Sequence, residues 1–292
     1  MATPLRASRN RNLADKANIF FFITVSLLLL VRTQRFPGWR VLLLVNLGCL
    51  LAIELLVRFA GRAPLWRFLH EWYPLAMPIV TFEEVSRLSF IFRSGWQDGY
   101  ILDLEARLFS VPPTVWLGRH SSPGITELLE IGYFSYFVLL MIAAGAFYAR
   151  SDRRAFREVM DATVLSYILC YVVFLLFPTE GPAYTLAALH GAALPGVGPF
   201  HWAVRLIQRH AGVHGNAFPS AHVAGGVVAL IFALRYAPKL GITLTPLVIL
   251  LCLGAVYDRY HYLSDVVAGV VFGALPALLI LCCKLPGQER QT

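Results

Sequence analysis

Charge is scarce in this chain. Only 14% of its 292 residues are Asp, Glu, Lys or Arg, against about 25% in soluble domains. So few charges cannot clothe a water-soluble surface of this size, and they are far below what keeps a disordered chain extended. Cysteine is scarce too. The five cysteines, Cys49, Cys170, Cys252, Cys282 and Cys283, lie inside apolar runs, and none has a CxxC spacing. This argues against a disulfide framework or a zinc site. Internal repeats, low-complexity tracts and long linkers are also missing, which argues against a repeat array or a string of tethered modules.

What is present is apolar. The hydrophobic share is 58% and the mean hydropathy is +0.64. A soluble fold of this length has no interior large enough to hide that much, whereas several spans of ~20 residues would absorb it. The composition implies a polytopic membrane protein and excludes a soluble enzyme or a nucleic-acid binder. The net charge of +8 then reads as Lys and Arg in cytoplasmic loops.

Apolar runs fall at about 17–31, 41–57, 74–92, 127–148, 159–177, 218–236, 242–257 and 262–283. The first follows Arg6, Arg9, Arg11 and Lys16 and is followed by Arg32-Thr33-Gln34-Arg35. With no small-residue cleavage site after it, it reads as an uncleaved signal anchor. The run 74–92 carries Glu83, Glu84 and Arg87. It fits an interfacial helix, a re-entrant segment or a polar span. A cytoplasmic N-terminus favours a crossing, giving eight spans.

Basic residues set the orientation. Arg150, Arg153, Arg154 and Arg157, then Arg235 and Lys239, then Lys284 and Arg290 fall on one side if the last four spans alternate. Arg205, Arg209 and Arg259 fall on the other. The positive-inside rule makes the first side cytoplasmic. Segments 178–217 and 258–261 then lie on the outer face, the first as a loop rich in Gly, Pro and His. The expected organisation is one membrane domain. Residues 1–126 form an N-terminal hairpin with an interfacial or crossing segment, 127–283 a core, and 284–292 a cytoplasmic tail.

Against so apolar a background, polar residues at membrane edges are expensive and need a reason. Two clusters stand at the outer ends of spans. One is Gly215-Asn216-Ala217-Phe218-Pro219-Ser220-Ala221-His222. The other is Tyr257-Asp258-Arg259-Tyr260-His261-Tyr262-Leu263-Ser264-Asp265. Pro219 suits a first helical turn, which would place Ser220 and His222 where free backbone N–H groups make an anion site. His261 and Asp265 are i and i+4, so on a helix they share a face. A carboxylate on one imidazole nitrogen raises the basicity of the other. Arg259 adds a donor fork suited to phosphate. Together these describe a phosphoryl-transfer site that needs no metal and no cofactor.

The pair FPSAHVAG and RYHYLSDVVAG resembles the second and third signature motifs of the type 2 phosphatidic acid phosphatase superfamily. The resemblance implies an all-α membrane bundle, with a six-helix core over about 127–283 and extra N-terminal helices. It implies His261 as nucleophile through a phosphohistidine, Asp265 as its orienting partner, His222 as general acid and Ser220 in the phosphate cradle. Three spellings depart from the phosphatase branch. Gly254 and Ala255 stand where Ser-Arg is usual, FPTEGPAY replaces the lysine and Arg-Pro signature, and PSAH replaces PSGH. FPSxH with HYxxDVxAG is closer to the inositol phosphorylceramide synthase and sphingomyelin synthase branch. The stretch from Asp103-Leu104-Glu105 to Pro112-Pro113, with Glu127-Leu128-Leu129, resembles bacterial members of that branch. The resemblance thus implies a membrane lipid with a phosphate head group as substrate and a lipid alcohol or water as acceptor. It also implies a bacterial cell membrane with the site on its outer side. Arg259, helped by Arg205 and Arg209, is the expected phosphate contact.

Plainer readings stand beside these. Ser220 could be a helix cap alone, His261 with Asp265 a structural pair, and Arg259 a snorkelling side chain. His190 and His201 read as loop residues, and Asp103 and Glu105 as loop or cap features. His210 and His214 are also i and i+4, but Gly212 lies between them. As a whole-protein alternative, a lipid or solute transporter would need polar residues at span centres and broken helices in repeated halves, and no such repeat is visible.

Overall fold

The computed structural model describes residues 11–33, 36, 38–211 and 214–283, with His210 and Ala211 given for their backbone only. The basic tail 1–10 and the expected cytoplasmic tail 284–292 lie outside the described residues. Thirteen helices and no strand occur among them: α1 (Leu13–Val31), α2 (Trp39–Phe59), α3 (Pro64–Arg87), α4 (Asp98–Leu108), α5 (Pro113–Arg119), α6 (Pro123–Ala149), α7 (Arg153–Leu176), α8 (Pro182–Thr185), α9 (Ala187–His190), α10 (Pro199–Ala211), α11 (Ala221–Tyr236), α12 (Pro238–Tyr257) and α13 (Leu263–Cys282). The protein is all-helical, as its composition and hydrophobic runs imply.

Six of these helices are long and apolar enough to cross a membrane: α1, α2, α6, α7, α12 and α13. They mark an integral membrane protein. The eight expected spans are therefore not all matched. α11 is apolar but has only 16 residues. α3 begins well before Pro74 and stops at Arg87. It is long enough but is not among the six: Arg67, His70, Glu71, Glu83, Glu84 and Arg87, with its Trp, Tyr and Pro residues, keep it too polar.

The chain divides into two compact units, 1–84 and 85–292, with the boundary inside α3. In the first unit, Asn12 opens α1 through a capping box with Asp15. The buried Asp15 carboxylate also accepts from Tyr73 Oη at 2.6 Å and lies 3.1 Å from His70 Nε2. α2 buries only Asn46 and Ile53, so most of its apolar surface is left for lipid.

The second unit is built on α6, α7, α11, α12 and α13, which pack on one another. Their turns alternate. The N-termini of α6, α11 and α13 and the C-termini of α7 and α12 thus share one end. Small residues let the helices close up, as is usual between membrane helices. A Cβ on Gly254 of α12 would come within 2.5 Å of the Leu129 carbonyl of α6. That contact requires glycine at position 254. The neighbouring Ala255 is fully buried.

The segment 178–217 is not a plain loop. It holds α8, α9 and the 13-residue α10. Ala203, Val204 and Ile207 recur at helical spacing while Arg205, Gln208 and Arg209 take the other side. Sequence reading missed this period beneath the Gly, Pro and His content of the flanks.

Candidate functional site

The site forms where the two sequence clusters meet at the shared end of the second unit. Ser220 is the N-cap of α11, and its hydroxyl accepts from Val223 N at 3.3 Å. Pro219 therefore precedes the cap and does not sit in the first turn as expected. The reason is that Ser220 keeps an extended backbone (φ −69°, ψ 102°) and takes the capping role itself. His222 follows as the second residue of α11.

Ser220 also ties the two clusters together. Its backbone N–H donates to the Asp265 carbonyl at 2.9 Å. The approach is close because Gly269 has no side chain: a Cβ there would meet the Ser220 carbonyl at 2.5 Å.

The second cluster leaves α12 through a tight turn. Asp258 N–H donates to the Gly254 carbonyl at 2.8 Å, Arg259 N–H to Val256 at 3.1 Å, and His261 N–H to Ala255 at 3.1 Å. Arg259 has a φ of +66°, a left-handed conformation that costs a non-glycine residue about 1 kcal/mol. α13 then starts with Tyr262 as N-cap. His261 lies just before that cap and Asp265 is the third helical residue. The two do not share a helical face. Asp265 instead closes the capping box, with Oδ2 accepting from Tyr262 N at 2.8 Å.

The histidine's own partner is a finding the sequence did not offer. His261 Nδ1 lies 2.8 Å from the Ala217 carbonyl oxygen and 3.5 Å from Asp265 Oδ2. A carbonyl can only accept, so Nδ1 carries the proton and the lone pair of the neutral ring falls on Nε2. His222 is close by. The two imidazole centroids are 5.7 Å apart. Tyr136 packs edge-on against His222 at 4.3 Å, and Tyr133 Oη lies 3.5 Å from its Nε2. A ring with a free Nε2 beside a second imidazole can attack phosphorus and exchange a proton with a leaving oxygen.

Arg259 faces a different set of partners. Its Nη2 donates to the Ala192 carbonyl at 3.1 Å and the His190 carbonyl at 3.4 Å. Its buried Nε and both oxygens of Asp258 have no hydrogen-bond partner among the described residues. Burial pushes the Asp258 carboxyl well above its usual range; Glu130 adds to the effect, and Arg205 and Arg259 oppose it. Burial and then Arg205 lower the Arg259 guanidinium. Arg205 and Arg209, with His201 and Gln208 of α10, line an open cavity of about 390 Å³. α10 is anchored there by Glu127, which accepts from Phe200 N and His201 N, and by Glu130 at 2.9 Å from His201 Nδ1. His201 is therefore a paired helical residue and not a loop histidine. His190 likewise ends α9, with Nε2 at 3.1 Å from Thr114 Oγ1.

The other acidic and histidine candidates fall elsewhere. His214 Nε2 lies 2.7 Å from Glu180 Oε1, while the side chain of His210 lies outside the described residues. Among the described residues, no group of three or more His, Cys, Asp or Glu could hold a metal ion. Asp103 and Glu105 are not loop or cap residues but lie inside α4, and Glu105 returns to the site, accepting from Ser264 N at 2.9 Å.

The family profile of the PAP2 superfamily matches residues 99–279, well over half the chain. The chain belongs to the PAP2 superfamily. The match takes in Arg205, Arg209, Ser220, His222, Arg259, His261 and Asp265. The chain is also 22% identical over 212 residues to a PA-phosphatase related-family protein of Dictyostelium discoideum. That alignment covers 66% of this chain but 36% of its relative, so the chain spans about a third of that protein's length. No solved structure matches the chain. Sequence reading also overlooked Asp98, one position before the match begins, whose buried carboxylate accepts from Tyr262 Oη at 2.9 Å and Gly181 N at 2.8 Å.

Proposed function

We propose that this PAP2 protein is a membrane lipid phosphotransferase or phosphatase acting through a phosphohistidine on His261. The observation that carries the reading is the Ala217 carbonyl on His261 Nδ1. It leaves Nε2 as the attacking atom beside His222. The related protein's name, with its reference to PA-phosphatase, supports a phosphate-bearing lipid as substrate.

The chemistry balances as two in-line displacements. His261 Nε2 bonds to phosphorus while the bond to the leaving oxygen breaks, and His222 supplies a proton to that oxygen. An acceptor hydroxyl then attacks phosphorus, gives its proton to His222, and breaks the P–N bond. Asp265, 3.5 Å from Nδ1, stabilises the positive charge that the ring gains. The N-terminus of α11 at Ser220 presents N–H groups to the phosphate. Arg205 and Arg209, which line the α10 cavity, steer the head group, and Arg259 adds its charge from the neighbouring turn. The catalytic core is 127–283, and the site lies on the outer face, because Arg150, Arg153, Arg154 and Arg157 gather between α6 and α7 at the opposite end.

The HYxxDVxAG spelling, together with Gly254 and Ala255, supports the inositol phosphorylceramide synthase-like branch, and hence transfer to a lipid alcohol over hydrolysis. The test is purified protein with a phospholipid panel, with and without ceramide or diacylglycerol. Free phosphate means a phosphatase, and a new phospholipid without free phosphate means a transferase. Neither product from any lipid overturns the proposal.

A further inference from the structure

α4 carries two carboxylates, Asp98 and Glu105, each only 3% exposed. They are seven residues apart, two turns on one helical face. Both reach the chain that carries His261. Tyr262 Oη donates to Asp98 Oδ1 at 2.9 Å. Ser264 donates to Glu105 Oε1 twice, from N–H at 2.9 Å and from Oγ at 3.0 Å.

Asp98 also works from the opposite side of the histidine. It accepts from Glu180 N at 2.7 Å and from Gly181 N at 2.8 Å. Gly181 holds a φ of +103° and approaches Ala217 so closely that a Cβ there would lie 3.2 Å from the Ala217 methyl. Thr179 in the same turn accepts from Phe218 N through Oγ1 at 2.7 Å and from Ala217 N through its carbonyl at 3.4 Å. Ala217 in turn accepts from His261 Nδ1. Two hydrogen-bonded routes thus run from one buried carboxylate to one imidazole. The first goes through Tyr262 to the backbone of His261, the second through 179–181 and Ala217 to its ring. A carboxylate is not taken out of water without hydrogen bonds to replace it, and the bonds Asp98 receives are those that fix this histidine.

We propose that α4 is a positioning element for His261, with Asp98 as its principal residue and Glu105 as its second anchor. The inference rests on His261 being the nucleophile. Asp98 touches no reacting atom. Its role is to hold the Ala217 carbonyl and the start of α13 in register, so that the ring keeps both its tautomer and its place.

The experiment measures kcat and KM for Asp98→Asn, Glu105→Gln, Tyr262→Phe, the Asp98→Asn/Tyr262→Phe double variant and His261→Ala. The probe is whichever of phosphatidic acid, lysophosphatidic acid and phosphatidylinositol the wild type turns over fastest in detergent micelles that also hold ceramide and diacylglycerol as acceptors, with rates expressed per folded molecule from thermal unfolding. Misplacement of a reacting group by ~1 Å costs about 100-fold. Asp98→Asn is therefore expected to lower kcat by about 10- to 100-fold with KM within about twofold. Tyr262→Phe should lower kcat less, and the double variant should be no slower than Asp98→Asn, because the two share a bond. An inactive His261→Ala beside an Asp98→Asn with near wild-type kcat overturns this inference alone. So does a change confined to KM or to folded yield. An active His261→Ala, or no turnover of any probe by the wild type, overturns the proposed function, and this inference with it.

Discussion

His261 takes its hydrogen bond from the backbone: Nδ1 is 2.8 Å from the Ala217 carbonyl, while Asp265, four residues on, stays at 3.5 Å. Carbonyl and carboxylate therefore divide the work. The carbonyl sets the tautomer, and the carboxylate adds charge at a longer range.

Asp265→Asn should accordingly be milder than His261→Ala. The amide keeps an acceptor for Tyr262 N and leaves the tautomer alone, but removes the negative charge. Where a carboxylate alone sets the tautomer, its loss costs about 10⁴-fold. Here the expected fall in kcat is about 10- to 100-fold, the worth of one charge-assisted contact. Steady-state rates of the two variants decide. Equal inactivity would show that Asp265 controls the ring by itself.

Arg205→Ala and Arg209→Ala should act on binding. Both side chains line the α10 cavity, and loss of one charged hydrogen bond costs about 1.5–3 kcal/mol. KM should rise by about 10- to 100-fold with kcat nearly unchanged. A fall in kcat at constant KM contradicts a head-group role.

The segment 178–217 should loosen in acid through His190. Burial, and then Arg259, lowers its pKa to about 4. A histidine with a depressed folded value binds its proton more weakly than the unfolded chain, whose value is about 6.5. Its stabilising contribution is thus present above about pH 6.5 and lost as pH falls toward 4. Thermal unfolding in detergent at pH 4.5 and pH 7 should show a smaller acid-induced loss for His190→Gln than for wild type. An identical loss would remove His190 from the account.

Gly269→Ala should injure both stability and turnover. Its Cβ would press on the Ser220 carbonyl at 2.5 Å and on Val223 Cβ at 3.1 Å. Overpacking of this kind costs about 1–3 kcal/mol. It also separates the two clusters where Ser220 N–H meets Asp265. A lower unfolding temperature with a lower kcat is expected, and wild-type values for both would contradict the packing described here.

The long helices were legible because apolar runs of span length leave little else for the chain to do. His222, Ser220, His261 and Asp265 were legible because polar residues at the ends of such runs are costly. The geometry between them was less so. The i, i+4 spacing of His261 and Asp265 suggested a shared helical face, but Tyr262 caps α13 between them and turns Asp265 into a capping-box residue. Ala217 was invisible, since any residue supplies a backbone carbonyl. Asp98 and Glu105 were hidden for another reason: their partners lie far away in sequence, and a short helix with a modest apolar face looks like a surface element. α10 was masked by the Gly and Pro residues around it, although Arg205, Gln208 and Arg209 already followed its period.

The central claim is that His261 Nε2 takes the phosphoryl group. It is tested most directly by quenching turnover rapidly in alkali and mapping the phosphopeptide by mass spectrometry with isomer assignment. The expected product is a phosphate on Nε2 of His261, absent from His261→Ala. Phosphate on His222, on Nδ1 of His261, or on neither residue while turnover proceeds would contradict it.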